Sequence, residues 1–325
     1  MIIANNVTKV YNKKRKTGKK IAVQNISFTI NDGDIIGYIG LNGAGKSTMI
    51  KMLCGILQPT DGEILINNLN PFTKRKENAK QIGVVFGQRT QLWWDLPLID
   101  SYKLLKKVYN ISNEDFEEKL SYYDRIFDIS KHLNSLVRTL SLGERMKADI
   151  IASMLHSPKI LFLDEPTIGL DFIAKRRMYE SIKELHKKYN TTIFLTSHDM
   201  DDINQLCNRV MIVDKGIKIY DEHISTMKNT FQNIKIIDFV FRSNQELTNV
   251  KSKIKDTFKN LNIEFTVDED KCSIMYDCNE IKSYTIIEII SSIIDTNSIV
   301  LKELPIENII ERIYNHENQV TKVKK

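Results

Sequence analysis

The stretch Gly40-Leu41-Asn42-Gly43-Ala44-Gly45-Lys46-Ser47 decides how this chain is read. It fits G-x-x-x-x-G-K-[ST] without a mismatch. The apolar run Ile35–Gly40 before it reads as a buried strand ending in glycine, and Lys46 to Leu57 reads as a helix stopped by Pro59. Glycines let the backbone bend until successive N–H groups point into one concavity, which binds an anion. The helix start adds unpaired N–H groups and the positive end of its dipole. Gly40, Asn42, Gly43, Ala44, Gly45 and Thr48 are therefore the candidate cradle for a phosphate chain. Lys46 brings a mobile positive charge to the β- and γ-phosphates, and the Ser47 hydroxyl suits Mg²⁺, a hard cation that prefers oxygen.

A second element answers the first. Ile160-Leu161-Phe162-Leu163-Asp164-Glu165 places four apolar residues on a buried strand and two acids at its carboxyl end, where ligands bind in such sheets. Asp164 is expected to hold Mg²⁺ through water, and Glu165 to orient or deprotonate an attacking water. Around these elements, strand-like runs (2–9, 21–30, 34–39, 62–66, 82–86, 159–164, 191–197) alternate with helical stretches, several of them between about 98 and 157. A hairpin closes the series near Gly216. Alternation of this kind implies an α/β domain with a mainly parallel sheet.

The chain has 325 residues and a net charge of +6, with 42% hydrophobic residues. That length suggests two domains, and that apolar fraction excludes a disordered chain. No run approaches the roughly 18 apolar residues of a membrane span, and the N-terminus MIIANNVTKVY lacks a secretory pattern. Cys54, Cys207, Cys272 and Cys278 have no zinc spacing and read as reduced thiols. The run KKRKTGKK at 13–20 holds six basic residues, equal to the whole net charge. It reads first as a solvated loop, then as a contact with anionic lipid or a triphosphate, and last as a nucleic-acid patch.

Between the two phosphate elements lies Leu140-Ser141-Leu142-Gly143-Glu144-Arg145, which resembles the LSGGQ signature of ABC-transporter ATPases. Gln88 after an apolar strand, Gly169-Leu170-Asp171, and His198 after another strand complete the family's motifs in the family's order, over about residues 1–230. The resemblance implies a P-loop NTPase of ABC-ATPase type, class α/β, with an inserted helical subdomain at about 90–157 and ATP and Mg²⁺ as cofactors. It also implies roles. Tyr11 is either a core ring or the aromatic that stacks on adenine. Gln88 reaches Mg²⁺ and the attacking water, and His198 contacts the γ-phosphate. Ser141, Gly143 and Asp171 act across an interface on the ATP held by a second ATPase subunit, identical or paralogous. The chain holds one copy of each motif, so two such domains must meet head to tail around two ATP. Leu142 and Glu144 depart from the common signature, and Glu144 puts a negative charge near a polyanion; with Glu165 intact, both sites are still expected to hydrolyse ATP.

The stretch Val84 to Pro97, which includes GQRTQLWWDLP, contains both tryptophans, Trp93 and Trp94. With Ser197-His198-Asp199-Met200-Asp201-Asp202 it resembles ATP-binding subunits paired with ABC-2-type permeases, mostly exporters of drugs, antibiotics or other small hydrophobic compounds. The tryptophans either pack inside the helical subdomain or form a hydrophobic docking surface for transmembrane permease subunits. The implied location is the cytoplasmic face of the cell membrane, and no nucleic acid partner is expected. The alternative, a soluble ABC ATPase acting on nucleic acid or ribosomes, usually brings two nucleotide domains or long insertions. After about residue 231 the pattern becomes β-α-β-β-α-β, with helices over 246–261 and 281–294, which fits a small ferredoxin-like α+β module. Residues 232–325 are read as a dimerisation element or, alternatively, a ligand-sensing regulatory module.

Overall fold

In the computed structural model, residues 1–12, 18–87, 89–241, 254, 257, 258, 263–267, 271–293 and 296–323 are described. Lys13 to Lys16 of the basic run, Gln88, and most of the expected helix over 246–261 lie outside them. The chain divides into two units, Met1–Ile224 and Ser225–Lys325. The division falls at the start of a short helix, Ile224–Thr230, ahead of the sequence boundary at residue 231.

Two sheets build the first unit. One is antiparallel, in the order β2-β1-β4, from β1 (Ile2–Asn12), β2 (Lys19–Ile30) and β4 (Asp61–Ile66). The other has six strands in the order β5-β6-β7-β3-β8-β9, from β3 (Ile35–Ile39), β5 (Ile82–Phe86), β6 (Ile160–Asp164), β7 (Thr192–Ser197), β8 (Arg209–Asp214) and β9 (Ile217–His223). All its pairings are parallel except β8 with β9. The central strands β3 and β7 are buried along their whole length, as strands covered on both sheet faces are; Ile193, Phe194 and Leu195 form the apolar middle of β7, which also buries Thr192, Thr196 and Ser197. Tyr38, Phe162 and Phe194 fill the core between them, with ring centroids 5.2 Å (Tyr38–Phe194) and 5.9 Å (Phe162–Phe194) apart.

Register sets the site. Phe86 pairs with Asp164, Asp164 with Thr196, and Ile39 with Ser197. Four parallel strands thus end side by side, and the loops that leave their carboxyl ends share one edge. Helix α1 (Lys46–Leu53) follows β3. It ends ahead of the expected Leu57 because Gly55 turns left-handed at φ +71°, where a Cβ would lie 2.1 Å from the Pro71 carbonyl.

Helices α3 (Leu98–Val108), α4 (Asn113–Phe127) and α5 (Leu142–Met154) are inserted between β5 and β6; a short α2 (Arg75–Ala79) precedes them. The Tyr102 hydroxyl donates to the Ala148 carbonyl and the Tyr123 hydroxyl to that of Met154, fastening α3 and α4 to α5. Helices α6 (Phe172–Tyr189) and α7 (Met200–Leu206) flank β7 in sequence.

The second unit holds an antiparallel sheet in the order β11-β12-β10-β13, from β10 (Ile234–Phe241), β11 (Glu264–Val267), β12 (Lys271–Asp277) and β13 (Thr296–Glu303). The first strand lies between the third and the last, an order that the expected β-α-β-β-α-β chain accommodates. Ile237, Phe239, Cys272 and Ile274 form its core with Ile286 and Ile290 of the helix Ser283–Ile293. On the other face Asp238, 4% exposed, accepts hydrogen bonds from Lys302 (2.6 Å) and Ser273 (2.7 Å). The last helix runs Ile306–Val323, beyond the expected Tyr314, since no Gly or Pro interrupts it. No helix among the described residues is long and apolar enough to cross a membrane.

Candidate active site

The loops at the strand ends enclose a cavity of about 790 Å³. Tyr11, Asn42, Gly43, Gly45, Lys46, Ser47, Thr48, Asp164, Glu165 and His198 all line it, so ten of the residues singled out from the sequence meet there. Gly45 caps α1 at φ +106°, and a Cβ there would lie 2.2 Å from the Ala22 carbonyl, so only glycine fits. Gly40 and Ala44 are buried and shape the loop without lining the cavity. The Gly40 carbonyl accepts a hydrogen bond from Lys46 Nζ (2.6 Å), which holds the lysine side chain in place.

Three groups form the chemical centre. Lys46 Nζ lies 3.7 Å from Glu165 Oε1, and His198 Nδ1 lies 2.6 Å from Glu165 Oε2. Nδ1 is the ring nitrogen that faces the carboxylate. The carboxylate of Glu165 is thereby held between an ammonium and an imidazole. Its backbone is left-handed, at φ +56°, a costly conformation for a non-glycine residue and one that collects at functional sites. Asp164 Oδ1 accepts from Thr196 Oγ1 (2.6 Å), which orients that acid from the neighbouring strand.

The loops carrying Glu165 and His198 are tied together underneath. Asp202 on α7 is fully buried and accepts from Thr167 Oγ1 (2.6 and 2.7 Å), Ser197 Oγ (2.5 Å) and the Tyr179 hydroxyl (2.7 Å). Burial, and then the bond to Asp202, raises the Tyr179 hydroxyl well above its usual range, so it stays a donor.

Lys20, Ala22, Lys51, Ile56, Phe86, Gly87, Arg89 and Ile168 also line the cavity and were not singled out as site residues. Lys20 ends the basic run and Arg89 follows Gln88, so two of the cations were visible as charges but not as wall. Lys20, Lys46, Lys51 and Arg89 line the cavity together with Asp164 and Glu165, a cationic balance suited to a polyanion.

Ser141, Gly143 and Asp171 lie outside this cavity. Ser141 caps α5, accepting from the Glu144 amide, while Glu144 Oε2 accepts from the Ser141 amide (2.8 Å), a reciprocal capping box. That backbone bond holds the Glu144 carboxyl below its usual range. The charge departing from the common signature is therefore engaged at its own helix start. Leu142 closes on Gly169, where a Cβ would lie 2.7 Å from Leu142 Cδ2. Asp171 caps α6, accepting from the Ala174 amide (2.8 Å).

The donors present fit Mg²⁺. The Ser47 hydroxyl and the Asp164 carboxylate line the cavity beside Glu165, and no cluster of three or more His, Cys, Asp or Glu among the described residues forms an all-protein cage. Mg²⁺ is held in this manner, by one or two protein oxygens together with substrate phosphates and waters.

Comparison with known proteins agrees with this geometry. Residues 23–168 match the family described as ABC transporter. The ABC transporter ATP-binding protein NatA of Bacillus subtilis (strain 168) is 28% identical over 243 residues, 75% of this chain and 97% of that protein. The bacitracin transport ATP-binding protein BcrA of Bacillus licheniformis is 33% identical over 222 residues, 68% of this chain and 69% of that protein. Among solved structures, a dimeric bacterial ABC transporter cassette superposes with a TM-score of 0.62 at 25% identity, covering 69% of this chain and 99% of the cassette. A phosphate loop at the head of α1, paired acids at the end of β6 and this set of relatives lead to one conclusion: the chain belongs to the ATP-binding subunits of ABC transporters, which bind and hydrolyse ATP to power transport.

Proposed function

We propose that the chain is the ATP-hydrolysing subunit of an ABC-2-type exporter of drugs, antibiotics or other small hydrophobic compounds. The observation that carries the catalytic part is Glu165 held between Lys46 and His198 at a cationic cavity. In this reading the backbone of residues 40–48 and Lys46 hold the phosphate chain, and Tyr11 and the nearby wall take the base. Glu165 orients the attacking water and takes its proton; His198 steadies that carboxylate and faces the γ-phosphate. Ser47 and Asp164 would hold Mg²⁺, as would Gln88, which lies outside the described residues. The bound cation supplies charge neutralisation at the phosphates. Catalysis is positioning plus electrostatic stabilisation, which needs little covalent chemistry from the protein.

Ser141, Gly143 and Asp171, away from their own cavity, are assigned to the ATP of a second ATPase subunit in a head-to-tail pair. The exporter reading is supported by the likeness to a bacitracin transport protein and by Trp93 and Trp94, which are 42% and 47% exposed in a loop suited to a permease. That assembly would sit peripherally at the cytoplasmic face of the membrane. The edge strand β13, with Ile299, Val300 and Leu301 exposed, supports reading residues 232–325 as a dimerisation element in preference to a ligand sensor.

Glu165→Gln tests the catalytic assignment. ATP binding, measured by equilibrium dialysis, is retained, and phosphate release falls about 10²–10⁴-fold. Undiminished turnover would remove Glu165 from its role.

A further inference from the structure

Asp149 on α5 is a buried acid that the chemistry above does not use, and it is only 4% exposed. Its Oδ1 accepts from Thr90 Oγ1 (2.9 Å) and from the Gln91 amide (3.0 Å). The Gln91 side-chain amide returns a bond to the Asp149 carbonyl (3.0 Å). Thr90 is one residue from Arg89, which lines the nucleotide cavity, and the Arg89 amide is bonded to the Phe86 carbonyl at the end of β5 (3.0 Å). A continuous path of covalent and hydrogen bonds thus leads from the cavity wall to the helix that starts at Ser141.

The same segment is stitched onward. The Leu92 amide donates to Thr90 Oγ1 (3.1 Å), and the Trp93 amide to Ser101 Oγ on α3 (3.2 Å). Backbone amides of Val137 and Arg138, just before the signature, donate to the carbonyls of Leu96 and Trp94 (both 3.1 Å). The Arg145 guanidinium of α5 lies 5.3 Å from the Trp94 ring centroid. Arg145 is also the charge that favours ionised Asp149, while Tyr102, on α3, is held neutral by burial.

A carboxylate buried among neutral donors is expensive, and an apolar residue would cost less. Burial pushes the Asp149 carboxyl up to about 6, the mark of that cost. The bonds it makes all go to the two residues that lead out of the nucleotide cavity. We propose that Asp149 is a positioning residue that latches the Arg89–Leu92 segment of the nucleotide cavity to α5, so that the cavity wall and the helix presenting Ser141 and Gly143 move as one body. The latch rests on the reading of the cavity as the ATP site.

The test uses the full chain with Mg-ATP and three variants. Asp149→Ala removes the acceptor; it lowers kcat about ten-fold or more and leaves KM within two-fold, since a misplaced segment damages catalysis more than binding. Thr90→Val, which nearly keeps volume and removes both the donor to Asp149 and the acceptor for the Leu92 amide, lowers kcat about three-fold. Asp149→Asn keeps an acceptor oxygen and restores kcat to within two-fold of the parent chain. Trp93 and Trp94 are the chain's two tryptophans, so intrinsic emission reads this segment directly: it shifts to the red in Asp149→Ala and returns in Asp149→Asn. Parent-like kcat and emission in both Asp149→Ala and Thr90→Val would overturn the latch, as would a loss that Asp149→Asn fails to restore. If Asp149→Ala does not fold, Thr90→Val decides. A parent chain that fails to bind Mg-ATP would instead refute the reading of the cavity as the ATP site, and the emission comparison still decides the latch.

Discussion

Replacing Asp149 by Asn should alter how stability depends on pH, by an amount that follows from the buried site. Burial is the largest influence on this carboxyl, raising it from 3.8 to about 6 against the opposing bonds from Gln91 and Thr90. A raised carboxyl pKa means the folded state binds protons more tightly than the unfolded chain, so stability falls as pH rises between about 4 and 7. A shift of about two units corresponds to about 3 kcal/mol, fully lost above the folded-state value. Between pH 5 and pH 7 the share lost is about 1.3 kcal/mol. In a domain the size of the first unit that is about 3–5 °C of melting temperature. Asn cannot titrate, so its melting temperature minus that of the parent should rise by that amount from pH 5 to pH 7 and level off above. Scanning calorimetry of both proteins across this range is the assay. A gap that stays constant, or narrows as pH rises, would show that the buried carboxyl is not held above its usual range.

Two other outcomes are expected. Glu144→Ala removes one half of the capping box on α5 and should cost about 1 kcal/mol, whereas Glu144→Gln retains an acceptor and should stay within about 0.5 kcal/mol; equal losses in denaturant titrations would deny the carboxyl its capping role. A tagged copy of the chain, purified from detergent-solubilised membranes, should carry a partner with several apolar spans. Recovery of ribosomal or nucleic-acid material in its place would favour the soluble alternative.

The central part of the site was legible because local chemistry dictates it. A loop that must cradle phosphate needs glycines at set spacing, and Gly45 has room for no side chain. Parallel strands buried on both faces are largely apolar, so β3, β6 and β7 stood out as short runs, with the glycine loop just beyond β3, the paired acids at the end of β6 and a histidine after β7. The outer wall was less legible. Ala22 and Ile56 reach the cavity from positions that no motif covers, while Lys20 ends the basic run for which a triphosphate contact is one reading, and Ile168 lies between Glu165 and Gly169 without being marked by either motif. Glu144 read as an unwelcome charge near a phosphate; the helix start at Ser141 turned it into a cap.

By itself, then, the sequence determined the phosphate loop, the paired acids, the alternation of strands and helices and the change of character after residue 231. These follow from interactions between residues close along the chain, where spacing is geometry. Only the tertiary structure decided that β1, β2 and β4 form a separate antiparallel sheet, that Asp202 ties the loops of Glu165 and His198, and that Asp149 meets Thr90 from 59 residues away. Such pairings depend on strand order and on how the helices pack, and a hydrogen bond between distant residues leaves no periodic trace in the chain that makes it.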